Sequence, residues 1–176
     1  MMNERIEHKA KPILLLGVGN IVQQDDGVGV HAITELMKRE WPEEVELYDG
    51  GTLGIDLLPI IQNRDTIIVI DAVNGGESPG TLFKFSPDEV TLKVQPYDSL
   101  HQLGFLETVS MAQILGTEPN HVLVIGCQPN VVDWGLELTE TISGKIARIL
   151  EIATEEAEVA LQRFRNKSRK NIQVEG

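Results

Sequence analysis

Two stretches of this chain constrain its fold more than any others. Residues 12–18 (PILLLGV) and 66–70 (TIIVI) are short apolar runs without alternation, each followed at once by glycine or aspartate. Runs this short read as strands, and continuous apolarity marks strands covered on both faces, as in a parallel sheet sandwiched between helices. Between them, Val28, Ala32, Ile33, Leu36 and Met37 recur at helical spacing until Pro42, which predicts a helix over 28–41.

The rest of the chain continues the alternation. A second strand is expected at 45–48, ending in a turn Asp49-Gly50-Gly51-Thr52, and a compact helix at 55–61 with Pro59 inside it. A fourth strand at 81–85 follows strand three so closely that an antiparallel pairing of the two is expected. A mostly polar connection over 86–100 leads to a helix at 102–115, then a strand at 121–125, and a long last helix, capped by Thr139, to about Arg165. The predicted fold is an α/β three-layer sandwich with a twisted, mainly parallel five-stranded sheet. Residues 1–165 form one domain on this reading, and 166–176 a flexible polar tail.

Composition narrows the function. The 176 residues carry 15 Lys and Arg against 27 Asp and Glu, a net charge of −12. Such a surface repels nucleic acid and anionic lipid, so neither is an expected partner. No run approaches the roughly 20 apolar residues of a membrane helix. Residues 1–11 lack the apolar core of a signal peptide, and the single cysteine, Cys127, permits no intramolecular disulfide; a cytoplasmic location is expected. No large apolar face is left over once the core is assigned, so a monomer is expected.

In open α/β sheets ligands lie beyond the carboxyl ends of the strands. Three strand ends here are polar or glycine-rich, over 17–26, 49–52 and 71–74, and they gather Asp25, Asp26, Asp49 and Asp71 on one edge. His101, opening a helix after a long loop, can reach the same edge. Gly17-Val18-Gly19 is half of a dinucleotide fingerprint, and Asp49 sits where a ribose-binding acid would. However, the third glycine position is Val22, and two aspartates at the helix start would repel a pyrophosphate. Asp26, Asp71 and His101 instead offer two oxygens and a nitrogen to a transition metal, with open positions for water or substrate. The plainer alternatives are a helix cap for Asp26, turn amides for Asp71 and an exposed ring for His101. His31, His121 and Cys127 read as structural, Cys127 as a small hydrophobe. Neither a Gly-x-Ser-x-Gly elbow nor a His-Glu-x-x-His helix is present.

Taken together, six blocks in order resemble the hydrogenase maturation proteases, endopeptidases that process the large subunit of nickel–iron hydrogenases. They are LLLGVGNIVQQDDGVGVHA from Leu14, DGGTLGIDLLPII from Asp49, IIVIDAV from Ile67, PGTLFKF from Pro79, HQLGFLETVSMAQILG from His101 and VIGCQPNVVDWGLELT from Val124. The resemblance covers roughly residues 12–150 and implies the same three-layer fold. It implies a metal-binding trio at Asp26, Asp71 and His101. The first position is commonly Glu in the family, and Asp25 stands beside it as an alternative. The implied substrate is a large-subunit precursor already carrying nickel, from which a short C-terminal peptide is removed. Nickel is then presented by the substrate rather than held as a resident cofactor. Catalysis falls to Asp26, Asp71 and His101, with Asp49 as a candidate base. Hydrogenase assembly chaperones are further candidate partners. The alternatives are a non-catalytic nickel-sensing chaperone using the same trio, and a nucleotide-binding α/β protein. The basic cluster Arg163, Arg165, Lys167, Arg169 and Lys170 reads as a solvated helix end.

Overall fold

The computed structural model describes residues 10–87 and 100–174, with side chains described over 10–87 and 104–170. Strand β1 (Ile13–Val18) leads through a short 3-10 turn (Gln24–Gly27) into helix α1 (Val28–Leu36). Then come β2 (Val45–Gly51), a 3-10 turn (Gly54–Leu57) running into α2 (Leu58–Ile61), β3 (Thr66–Ala72) and β4 (Leu82–Phe85). Helix α3 (Leu100–Ile114), β5 (His121–Cys127), α4 (Glu140–Ser143) and α5 (Ile146–Val174) complete the chain. The five strands lie in the order β2-β1-β3-β5-β4. All pairings are parallel except that of β4 with β5. The expected three-layer architecture is the one observed.

Period-two alternation sorts the strand side chains onto two cores. Ile13, Leu15, Ile68, Ile70, Ala72, Ile125 and Cys127 face α1 and α5. Leu14, Leu16, Ile67, Val69, Val73 and Val124 face α2 and α3, meeting Leu57, Ile61, Phe105 and Val109. Both faces are covered, which is why β1 and β3 read as unbroken apolar runs. All six residues of β1 and all seven of β3 are buried.

The elements differ from expectation in ways that matter for the edge of the sheet. β2 continues through Asp49, Gly50 and Gly51 instead of turning there. β3 likewise carries Asp71 inside the strand. β4 is antiparallel as expected, but to β5 and not to β3; β5 takes the free side of β3 along seven register pairs from Thr66–His121 to Ala72–Cys127. Pro59 sits in the first turn of α2, where its missing N–H costs nothing. The last helix is broken after α4, and Thr139, at the N-cap position, makes no side-chain cap bond. Its hydroxyl donates instead to Asp25, at 2.9 Å.

The tail expected to be flexible from residue 166 continues as helix, since α5 runs to Val174. The start of that stretch is tied to the far edge of the sheet. Arg165 donates to both Glu44 oxygens at 2.8 and 3.0 Å, and the Lys167 ammonium lies 3.6 Å from Asp65. Ser168 donates back to the Phe164 carbonyl at 3.1 Å. Two of the five basic residues are therefore ion-paired, and a third, Arg163, donates to Thr66 Oγ1 at 2.9 Å.

Candidate functional site

The chain leaves β1 for β2 on one side and reaches β3 on the other, so the crossover direction reverses between β1 and β3. In open α/β sheets a crevice forms at such a point, beyond the carboxyl ends of the strands. Helix α1 is pressed against it: a Cβ on Gly29 would lie 2.1 Å from the Ile70 carbonyl oxygen and 2.3 Å from that of Val18. The turn preceding α1, which carries Asp25 and Asp26, is thereby seated over the ends of β1 and β3.

The two aspartates do different work. Asp25 is 0% exposed. Its carboxylate accepts from the backbone N–H groups of Asn130, Val131 and Thr139 at 3.0, 2.9 and 2.7 Å, besides the Thr139 hydroxyl. That set satisfies most of the acceptor capacity of a carboxylate, so Asp25 is a clamp between the first loop and residues 130–139. Asp26 is held from the other side. Asn20 N–H donates to its Oδ2 at 3.1 Å. Gly19, at φ +132°, passes so close that a Cβ there would lie 2.0 Å from the Asp26 carbonyl oxygen. Only glycine fits that approach, which gives the Gly-x-Gly-Asn string a local task. The helix-cap reading of Asp26 does not hold: the N-cap of α1 is Gly27, with no side-chain cap bond.

Asp71 is buried, and its Oδ1 accepts from the Ala72 N–H at 2.8 Å. Burial and the like charge of Asp26 push its carboxyl well above the usual range, against the lowering effect of the Ala72 bond. The Asp26 charge thus acts on Asp71 at the switch point, where it resists the ionisation of Asp71. A divalent cation relieves such a pair, and carboxylate oxygens suit one. The loop after Asp71 is braced by Gln128, whose Oε1 accepts from Gly75 and Glu77 N–H at 2.8 and 3.3 Å and whose Nε2 donates to Asn74 at 3.2 Å.

By alternation Asp71 is on the face of the sheet covered by α3, the face of Val69 and Val73. Helix α3 runs against the strands. Its far end lies by the start of β3, where Asn63 N–H donates to the Thr117 carbonyl at 2.8 Å. Its beginning, with the backbone of His101, is therefore at the same edge as Asp71. There Thr108 Oγ1 donates to the Gly54 carbonyl at 3.0 Å. The side chain of His101 lies outside the described residues. Among the described residues, no three His, Cys, Asp or Glu side chains are grouped to hold a metal ion. Asp49 is apart from the pair. It is in register with Gly17, whose added Cβ would strike Ile33 of α1, so it belongs to the α1 face, on the edge strand. It is exposed, and its Oδ1 accepts from Gly51 N–H at 3.0 Å. Cys127 is buried and its thiol is pushed up to about 11, by burial first and by the charge of Asp25 second. At neutral pH it stays a thiol, which suits a packed small hydrophobe and not a nucleophile.

Sequence reasoning did not find the interlock of the first and last loops. Gln24 N–H donates to the Gly135 carbonyl at 3.0 Å, Gly135 N–H to Val22 at 3.1 Å, and Asp25 N–H to Val131 at 3.3 Å. The structure marks the place by a left-handed backbone at Gln24, φ +47°, but nothing in a sequence pairs residue 24 with residue 135.

An acid pair lies at the switch point of an α/β sandwich, and those same acids break the nucleotide fingerprint, which argues against a dinucleotide site. Comparison with known proteins carries this further. A family model for hydrogenase maturation protease matches residues 30–156. The chain is 42% identical over 144 residues, 80% of its length and 75% of the relative's, to the hydrogenase expression/formation protein HupD of Bradyrhizobium diazoefficiens. It is 36% identical to the hydrogenase 2 maturation protease of Escherichia coli, across 79% of this chain and 86% of that one. The solved hydrogenase maturating endopeptidase HybD of E. coli superposes with a TM-score of 0.79 at 33% identity, covering 84% and 93% of the two chains. The chain belongs to the hydrogenase maturation protease family, and it is an endopeptidase.

Proposed function

We propose that this endopeptidase removes a short C-terminal peptide from the nickel-loaded precursor of a nickel–iron hydrogenase large subunit, and that Asp26 and Asp71, with His101, grip the substrate's nickel. The observation that carries this reading is the meeting of Asp26 and Asp71 in a crevice, where burial and a like charge disfavour the ionised pair. A cation delivered by the substrate reverses that penalty, so precursor without metal is disfavoured and precursor with metal is held.

The hydrolysis itself is ordinary bookkeeping of one water. The scissile C–N bond breaks, the water oxygen bonds to the carbonyl carbon, and the leaving nitrogen takes a proton. Burial and the like charge of Asp26 raise the Asp71 carboxyl, and a cation at that position would lower it again. Asp49 is the candidate base for the water although it lies on the α1 face, apart from Asp26 and Asp71: it is exposed, and β2 is an edge strand against which an extended substrate can pair and pass it.

The test is a processing assay with nickel-loaded and nickel-free precursor, followed by the mass of the precursor. Cleavage of the nickel-loaded form alone is expected. Equal cleavage of both forms removes nickel from the recognition step. Binding without cleavage of a precursor that an active protease does process favours the chaperone alternative.

A further inference from the structure

The interlocked loops beside Asp26 expose an unusual amount of apolar side chain. Trp134 is 80% exposed, Leu136 63%, Val132 51%, Ile21 46%, Val131 39% and Val22 38%. Single exposed apolar residues are normal, but contiguous ones are characteristic of an interaction surface. These are contiguous by backbone. Val22 accepts from Gly135 and Val131 accepts from Asp25, so Ile21 and Val22 are stitched to the 131–136 loop. Trp is also among the side chains enriched at the energetic centres of protein interfaces.

The surroundings of the patch are acidic. Asp133, Glu137 and Glu140 are exposed beside it. No Lys or Arg occurs in the sequence between Pro12 and Met37 or between Glu118 and Gly144. A second copy of the chain would bring the same acids and repel them. A partner with an apolar centre and a basic rim would be attracted. The patch is continuous with the 3-10 turn of Asp25 and Asp26, whose clamp holds the 130–139 loop in place.

We propose that Ile21, Val22, Val131, Val132, Trp134 and Leu136 form a docking surface for the folded body of the precursor, and that the face they receive is apolar with a Lys- and Arg-rich rim. This rests on the processing role proposed above and adds a second point of contact, remote from the bond that is cut. Docking there places the precursor's metal over Asp26 and Asp71 before its C-terminal segment is engaged. Binding energy realised equally before and during the reaction lowers KM and leaves kcat alone.

The experiment follows processing of nickel-loaded precursor over a range of precursor concentrations by the wild-type enzyme, by W134S/L136S, and by Ile114→Ser as control. Ile114 is 78% exposed at the opposite edge of the sheet. The double variant is expected to fold with an unchanged Tm and to raise KM at least tenfold with kcat within twofold, while Ile114→Ser matches wild type. Wild-type KM is expected to rise with salt, as an acidic rim meeting a basic one requires. A double variant with wild-type KM, in an assay where wild type is active, overturns the docking surface and leaves the processing role standing. A wild-type dimer that the double variant turns into monomer, with KM unchanged, assigns the patch to a second copy and also overturns it. Failure of the wild type to process the precursor is the failure of the underlying role, and the docking proposal falls with it.

Discussion

Strand β3 has acidic side chains at both of its ends, and the surroundings treat them in opposite ways. At its start, Asp65 is 8% exposed; it accepts from Thr66 Oγ1 at 3.0 Å and from Asn120 at 3.3 Å, and it faces Lys167. The neighbouring Arg64 guanidinium is buried and donates to Glu46 at 2.6 Å and to the Lys11 and Ile60 carbonyls at 2.7 and 2.8 Å. Burial works to raise the Glu46 carboxyl, but the Arg64 bond and charge, together with Lys11, outweigh it and hold it below its ordinary value. At the other end Asp71 meets Asp26, and burial and like charge raise it. One edge of the sheet sets a base against Asp65, Glu46 and Glu44; the other sets the Asp26 charge against Asp71. Matched charge offsets the cost of burial within the structure, whereas same-sign charge in a crevice is a cost that a bound cation would relieve.

The comparison predicts a division of effects. At the matched edge, Arg64→Met leaves Glu46 and the partly buried Lys11 and Ile60 carbonyls without their donor. A loss of about 3 kcal/mol in urea denaturation is expected, with kcat of the remaining folded enzyme unchanged. At the other edge, Asp26→Asn or Asp71→Asn is expected to lower processing of nickel-loaded precursor by at least about a hundredfold without loss of fold. A processing rate within twofold of wild type for either would break the assignment of that residue. Asp25→Asn falls between the two. Replacing one acceptor oxygen by an NH₂ turns it against donors, which is expected to cost about 2 kcal/mol and to speed hydrogen exchange at the Asn130, Val131 and Thr139 amides.

The titration of Asp71 sharpens the contrast. Its folded-state pKa lies above the unfolded value of 3.8. The folded protein therefore holds the proton more tightly, and the associated stability is complete below the unfolded pKa and lost as pH rises through the folded one. Asp71→Asn is expected to equal wild type in stability at acid pH and to exceed it at neutral pH, by about 1 kcal/mol in denaturant titrations. A constant difference across pH would remove the electrostatic cause. The smallest effect belongs to Lys167→Ala. Its side chain is 59% exposed, so under about 0.5 kcal/mol is expected, and still less at high salt.

Local pattern carried a good part of this molecule. Apolar runs too short for helices and covered on both faces identified β1 and β3. Helical spacing identified α1, and breaks in the dinucleotide fingerprint argued against a nucleotide. What failed was whatever depends on residues far apart in the chain. Antiparallel β4 was legible from its short link, but not that β5 would take its place beside β3. Asp25 and Asp26 are neighbours of the same type, and only the third dimension assigns one to the 130–139 loop and the other to Asp71. The same holds for Thr139, whose hydroxyl leaves the cap for Asp25.

The sequence by itself determined the layers, the sheet class and the edge on which the acids gather, because periodicity and burial are written into each short segment. The tertiary structure alone decided which acid meets which, because charges and hydrogen bonds act through space across more than a hundred residues of chain, as Asp25 to Thr139 does. It also decided that six apolar side chains of two distant loops stand together beside the acid pair, since that patch exists only once Val22 and Gly135 are bonded.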